Sequence, residues 1–229
     1  MSILLYDLAG ADPALRFSPY CWRARLALAH KGLPTQTLPW RFTEGERIAF
    51  SGSEKVPVIV DDGRAVADSW AIAVYLEHTR ADRPSLFSGA GGMAHARFIN
   101  AWADSVMNPA IARLILHDIW TVLDPGDQEY FRASREARFG MRLEQVQQDR
   151  EARREDFRRS LSPLRAVLAA QPWFGGDAPS YADYILFSGF QWARCASRFA
   201  LLAEDDPIAE WRGRMLGLFD GLAAAAAVA

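Results

Sequence analysis

The rhythm of apolar and polar positions changes once along this chain, between residues 80 and 93. Before that point, short apolar runs alternate with turn residues. Ile3-Leu4-Leu5-Tyr6 opens a strand predicted over 3–8, and residues 9–17, with Asp12-Pro13, read as a loop. Trp22, Leu26 and Ala29 recur at i, i+4, i+7 and predict a helix from Pro19 to about His30. Lys31-Gly32-Leu33-Pro34 ends it, with Gly just past the last turn and Pro two residues on. Residues 35–42 read as a second strand, and Pro39 inside it marks an edge or a bulge because it has no N–H to donate. Residues 43–53 are polar and predict a loop with one irregular helical turn. Residues 55–60 predict a third strand, Asp61-Asp62-Gly63-Arg64 supplies hairpin-turn chemistry, and Ala65-Val66 begins a fourth strand. Asp68-Ser69 then caps a helix with Ile72, Tyr75 and Leu76 on one face. This β-α-β, β-β-α order over roughly 80 residues predicts a compact α/β unit with a small mixed sheet.

A stretch rich in Pro, Ser and Gly follows, and then the pattern is helical throughout. The expected organisation is an α/β domain over 1–82, a linker over 83–92 and an all-helical domain over 93–229. Phe98, Trp102 and Ser105 continue into Ile111, Leu114 and Ile115, with a kink expected at Asn108-Pro109. Asp124-Pro125-Gly126-Asp127 breaks the chain, residues 128–170 are strongly helical, and Pro163 marks a new helix. After the turn residues 173–179, Ser180-Tyr181-Ala182-Asp183 is a capping box ahead of the apolar run Ile185-Leu186-Phe187. The last helix runs from Pro207 or Ile208 through Trp211, Met215 and Leu218, and the Ala-rich residues 223–229 read as a fraying end.

Composition narrows the function classes. Half of the 229 residues are apolar, a quarter are charged and the net charge is −2, so no basic excess points to nucleic acid. The arginines of the long helical stretch are interleaved with Glu and Asp and read as a solvated face. Two cysteines, Cys21 and Cys195, make no disulfide framework, and a reducing, cytoplasmic setting is expected. The N-terminus lacks a secretory pattern, and no apolar run has the length of a membrane span. His30, His78, His95 and His117 are scattered, so no metal site is expected.

Three local features carry the chemistry. Ser18-Pro19 places a preferred N-cap hydroxyl, free helix-start N–H groups and a dipole's positive end at one point. Such a point can be an ordinary helix start or can hold an anion. Val56-Pro57 stands at the head of a strand; were that peptide bond cis, the Val56 backbone would face outward, open to an extended peptide. Asp68-Ser69 is an ordinary cap or, alternatively, a seat for a zwitterionic amino-acid head, carboxylate on the helix start and ammonium on Asp68. Together the three fit a short peptide with a thiol, a backbone amide and an α-amino-acid end, which describes glutathione.

With those residues in view, the chain resembles the glutathione S-transferase superfamily over nearly its whole length. Ser18-Pro19-Tyr20-Cys21 is similar to the Cys-Pro-Tyr-Cys of glutaredoxins with Ser in the first place. Within the superfamily, several stretches look closest to the bacterial β-etherases of the LigE type and their fungal relatives. They are Ser18-Pro19-Tyr20 with Trp22-Arg23, residues 56–63, Asp68-Ser69-Trp70, Ser134-Arg135-Glu136 and Gly175-Gly176-Asp177. The resemblance implies a thioredoxin-like N-terminal domain followed by an all-helical one, glutathione as co-substrate, a homodimer and a small electrophilic partner. It implies Ser18 at the glutathione thiol and Val56-Pro57 along the cysteinyl backbone. It places Asp68 and Ser69 at the γ-glutamyl end, and Lys55 or Arg41 near the glycyl carboxylate. Phe17, Tyr20, Trp102, His117 and Trp120 are the expected lining of the electrophile site. The implied activity is glutathione transfer to an aromatic electrophile, in its sharpest form β-aryl ether cleavage. A non-catalytic glutathione-binding protein and a glutathione-dependent isomerase or peroxidase are the alternatives. Ser in place of the first Cys argues against disulfide reduction. Cys21 is either a reactive thiol or a small buried hydrophobe.

Overall fold

The alternation of the first strand decides the N-terminal layer. The structure, a computed structural model, describes residues 2–229, Ala90 by its backbone alone. In strand β1 (Ile3–Leu8), Ile3, Leu5 and Leu8 are buried. It pairs in parallel with β2 (Thr35–Trp40) and antiparallel with β3 (Val58–Asp61), which pairs antiparallel with β4 (Arg64–Ala67). The sheet order is β2-β1-β3-β4, so Pro39 sits on an edge strand, where its missing donor costs no ladder bond. Asp62 and Gly63 form the two-residue hairpin between β3 and β4 with φ of 49° and 79°, the all-positive pattern of a tight β-turn. The third strand is shorter than expected. Residues 55–57 stay outside the ladder, where Pro57 has no N–H to donate; the Val56-Pro57 peptide bond is cis.

Helix α1 (Pro19–His30) follows β1 and is capped by Ser18, and α2 (Ser69–Thr79) follows β4 and is capped by Asp68. This is the thioredoxin-like arrangement. The remaining helices are α3 (Ala90–Trp102), α4 (Asn108–Thr121), α5 (Pro125–Phe139), α6 (Leu143–Gln147), α7 (Arg150–Ser160), α8 (Ser162–Ala170), α9 (Tyr181–Ala196) and α10 (Pro207–Gly221). Helix α9 is buried along nearly its whole length and packs on both α1 and α3. Its capping box forms as expected: the Asp183 carboxylate accepts from the N–H groups of Ser180, Phe174 and Gly175, and from Nε1 of Trp211.

Four expectations change. The kink at Asn108-Pro109 is a π-helical turn over Ala103–Met107; Pro109 has no N–H for the preceding turn, and the wider turn absorbs the break. The region 128–170 is four helices, not two: Gly140 (φ 67°) adopts a left-handed conformation that ends α5, and Asp149 (φ 58°) adopts one just ahead of α7. Helix α3 begins at Ala90, inside the expected linker, and α5 begins at Pro125, whose cap is Asp124. The Ala-rich end does not fray. Carbonyls of Ala223 and Ala224 accept from Gln191 and Arg194, and the N–H of Ala229 donates to Cys195 O.

Candidate active site

Strand register brings the three sequence features to one end of the sheet. Tyr6 pairs with Val58 and Val58 with Ala67, so the end of β1, the start of β3 and the end of β4 are neighbours. Ser18 lies just beyond β1, Val56 just before β3 and Asp68 just after β4. The Asp68 N–H donates to Pro57 O at 3.1 Å, which ties the second helix start to the proline.

Ser18 is 4% exposed, and its Oγ accepts from the Cys21 N–H at 3.3 Å. That cap uses an acceptor lone pair and leaves the hydroxyl proton for a neighbour. Among the described residues, the Tyr20 N–H at the same helix start and both main-chain groups of Val56 have no intramolecular partner. The same holds for the Ser69 N–H and hydroxyl, while its carbonyl accepts from Tyr181 Oη at 2.7 Å. Asp68 holds φ at 78°, in the left-handed region, and its Oδ1 accepts from the N–H groups of Trp70 and Ala71 at 2.9 Å each. The second carboxylate oxygen is open on an exposed side chain. A non-glycine residue held in that conformation is the kind of strain that collects at functional sites.

A cavity of about 620 Å³ opens between the sheet end and helices α4 and α5, well inside the range of small-molecule sites. Phe17, Ser18, Tyr20, Lys55 and Val56 are on its wall. Lys55 is exposed and forms no ion pair among the described residues, whereas Arg41 lies off the wall and is paired with Asp124 at 3.2 Å. Three expected lining residues are elsewhere. His117 and Trp120 stack on each other at 5.5 Å, Trp120 Nε1 donates to Gln128 O, and Arg132 covers the Trp120 ring. Trp102, at the end of α3, is half-buried off the cavity wall. The wall is instead completed by residues that the sequence reading passed over. They are Trp40 and Phe42 from the sheet side and Arg113, Phe131, Arg135 and Phe139 from α4 and α5. The signal for the last four was available: aromatic and arginine residues share one stripe of α5, and Arg113 follows the stripe Pro109, Ala112, Leu116 of α4.

Beneath this site helix α1 is locked to the helical part by Arg23, which is fully buried. Its guanidinium donates to Ser188 Oγ (3.3 Å), Asn100 Oδ1 (2.9 Å) and Asp104 Oδ1 (2.8 Å), and it lies 4.8 Å from the centre of the Tyr20 ring. Cys21 is fully buried as well. Burial, reinforced by the Asp7 carboxylate, pushes its thiol well above the ordinary range, so it is the small hydrophobe and not a nucleophile. Among the described residues, no group of His, Cys, Asp or Glu is placed to hold a metal, and no helix is long and apolar enough to cross a membrane.

Comparison with known proteins identifies the family. Residues 17–79 match the profile of the glutathione S-transferase N-terminal domain, and residues 94–215 match that of the C-terminal domain. A glutathione S-transferase of Ceriporiopsis subvermispora, solved in complex with glutathione, is 26% identical. The match covers 96% of this chain and 97% of that one, with a TM-score of 0.80. A glutathione transferase of Phanerochaete chrysosporium is 30% identical, over 96% of this chain and 92% of that one, with a TM-score of 0.74. A probable maleylacetoacetate isomerase of Caenorhabditis elegans is 35% identical over 92 residues, so the match spans 38% of this chain and 43% of that protein. By its two matched domains and the arrangement of its sheet end and helices, the chain belongs to the glutathione S-transferase family.

Proposed function

We propose that the protein transfers the thiol of glutathione to an aromatic electrophile, and that β-aryl ether cleavage is its reaction. The observation that carries the reading is the set of groups gathered at one sheet end: the Ser18 hydroxyl, and, without intramolecular partners among the described residues, the Val56 main chain and the Ser69 N–H and hydroxyl. They match, in order, a thiolate, a peptide unit and an α-carboxylate. The free oxygen of Asp68 faces an ammonium, and Lys55, which has no ion-pair partner, takes the glycyl carboxylate in preference to the committed Arg41. The complex with glutathione of the Ceriporiopsis relative supports the choice of co-substrate.

Ser18 supplies the chemistry. A hydrogen bond to a charged partner is worth about 1.5–3 kcal/mol, and one pKa unit is about 1.36 kcal/mol. The hydroxyl therefore lowers a bound thiol by roughly one to two units, helped by the positive end of α1. The electrophile occupies the cavity beside Phe17 and Tyr20. In ether cleavage a C–S bond forms at the carbon next to a carbonyl, the C–O bond breaks and the phenolate leaves, to be protonated by water. The protein positions and desolvates the two reactants. A second reading, glutathione-dependent isomerisation, draws support from the nematode relative.

The test is Ser18→Ala with the pH–rate profile as readout. Loss of the cap costs about 1 kcal/mol of stability, which alone leaves the profile in place. Loss of thiolate stabilisation raises the acid limb of kcat/KM by about one pH unit or more, with glutathione still bound. An unmoved limb overturns the role of Ser18. A panel of β-aryl ethers, halo-nitroaromatics, hydroperoxides and a maleyl compound decides the reaction; turnover confined to the maleyl compound selects isomerisation. Glutathione binding without turnover of any of them selects a carrier.

A further inference from the structure

The wall of the cavity opposite the glutathione residues carries three arginines without an anion. Arg113 comes from α4, and Arg135 and Arg138 come from α5, where Phe131, Arg135 and Arg138 fall at i, i+4, i+7 on one face. The guanidinium of Arg135 lies over the rings of Phe131 (4.7 Å) and Phe42 (5.4 Å), and Arg113 and Arg138 both lie over Phe139 (5.4 and 5.8 Å). Among the described residues none of the three has a carboxylate within ion-pair distance. Arg132, one turn before Arg135 but off the cavity wall, is paired with Glu136 at 2.7 Å and Glu144 at 2.8 Å. Helix α5 therefore satisfies its outer arginine and leaves its cavity-facing ones open.

The cavity's own carboxylates do not fill the gap. Asp104 is committed to Arg23, which leaves Glu54 as one carboxylate for the four cations on the wall, Lys55, Arg113, Arg135 and Arg138. Arg135 has also lost water. Burial lowers its guanidinium from the usual arginine range, with Tyr130 opposing and Arg138 adding to the effect. Its guanidinium donates to the neighbouring Ser134 Oγ at 2.8 Å, a neutral acceptor, and Tyr130 is its other polar neighbour. Compensation of the α5 dipole accounts for a cation in its last turn, as at Arg138, but not for Arg113 in the middle of α4.

We propose that this cluster selects an electrophile bearing a carboxylate on or near its aromatic ring, a proposal that rests on the transferase reading of the same cavity. The planar guanidinium fork matches a carboxylate in bidentate geometry, and the flanking rings of Phe42, Phe131 and Phe139 stack the aromatic body. The substrate then lies with its reactive carbon toward Ser18 and its anion toward α5.

The test uses unreactive probes. Protein saturated with S-methylglutathione is titrated calorimetrically with 3,5-dinitrobenzoate and with its methyl ester. The acid should bind at least tenfold more tightly than the ester, about 1.4 kcal/mol. Arg135→Gln, and separately the double variant Arg113→Gln/Arg138→Gln, should each cut that preference at least fivefold, with Arg135→Lys restoring part of it. Unchanged circular dichroism controls for folding. Equal binding of acid and ester overturns the proposal and leaves the transferase reading standing. The same holds if the variants weaken S-methylglutathione while the acid preference persists, which assigns the arginines to glutathione itself. Failure of S-methylglutathione to bind overturns the transferase reading, and this proposal with it.

Discussion

Arg23 and Asp104 form an ion pair whose two halves are unequally buried, and the inequality predicts which half is worse to lose. The guanidinium is fully buried, while the Asp104 side chain is 33% exposed and also accepts from Asn100 Nδ2 at 2.9 Å. Replacing Arg23 by Met keeps the packed stem and leaves a carboxylate that water and Asn100 still serve. Ser188 loses one donor but keeps its bond to Ile185 O at 2.7 Å. Asn100 Oδ1 also loses a donor, at a half-buried residue that water reaches, so the dominant loss is the charged hydrogen bond to Asp104, about 2 kcal/mol. Replacing Asp104 by Ala leaves a fully buried cation without its anion, which costs about 3–5 kcal/mol in comparable cases; partial access of water at the Asp104 position puts it near 3. Asp104→Ala should therefore be the less stable variant by about 1 kcal/mol, and the double variant should be more stable than Asp104→Ala alone. Urea unfolding at pH 7 reads this directly. With a slope near 3 kcal/mol/M, the two single variants differ in midpoint by about 0.3 M or more. If Arg23→Met is as damaging as Asp104→Ala, or if the double variant falls at the sum of the two, the guanidinium does not behave as a buried charge held by this carboxylate.

Two further outcomes follow from buried groups. Cys21 and Cys195 are both buried, and burial pushes the Cys195 thiol up to about 12, so native protein should release no chromophore from a disulfide thiol reagent, against two thiols per chain in denaturant; rapid labelling of Cys21 in the native state would contradict its placement. Burial alone would raise Glu77, but the buried Lys31 at 2.8 Å, the Ser85 hydroxyl and the Leu86 N–H outweigh it and hold the carboxyl below its ordinary value near 4.5. A depressed carboxyl contributes stability above its unfolded value and loses it as the pH falls through the folded one, so wild type should lose Tm below about pH 4.5. Glu77→Gln should be less stable at neutral pH, and the gap should close in acid; a gap independent of pH removes Glu77 from the account.

Much of the fold was legible because its punctuation is local. Ser18-Pro19 and Gly32 bracket α1, Asp62-Gly63 sets the hairpin, and Ser180 with Asp183 starts α9; each signal acts within four residues of itself. The misread boundaries are those decided by tertiary contacts. Asp149 takes a left-handed conformation that nothing nearby in sequence demands. Residues 223–229 have no cap or polar pattern of their own, and they are held by Gln191 and Arg194 from a helix some 30 residues earlier.

The candidate site divides along the same line. Its glutathione half rests on helix starts and a proline, features that a single sequence displays, and strand order then brings them together. Its electrophile half rests on the rotation of α4 and α5 about their axes, which composition cannot report. Reading 128–170 as a solvated face of mixed charge was correct for Arg132 with Glu136 and Glu144, and it hid Arg135 and Arg138. What separates them is the partner within reach. Arg132 has Glu136 four positions on, whereas Arg135 stands four from Phe131 and four from Phe139, in the apolar stripe of its own helix. A cation in that stripe, with no acidic residue three or four positions away on the same face, is the sequence feature on which the proposed anion subsite rests. Glu136 does not supply that acid: it stands one position from Arg135 and two from Arg138, and its oxygen goes to Arg132 and the Leu143 N–H.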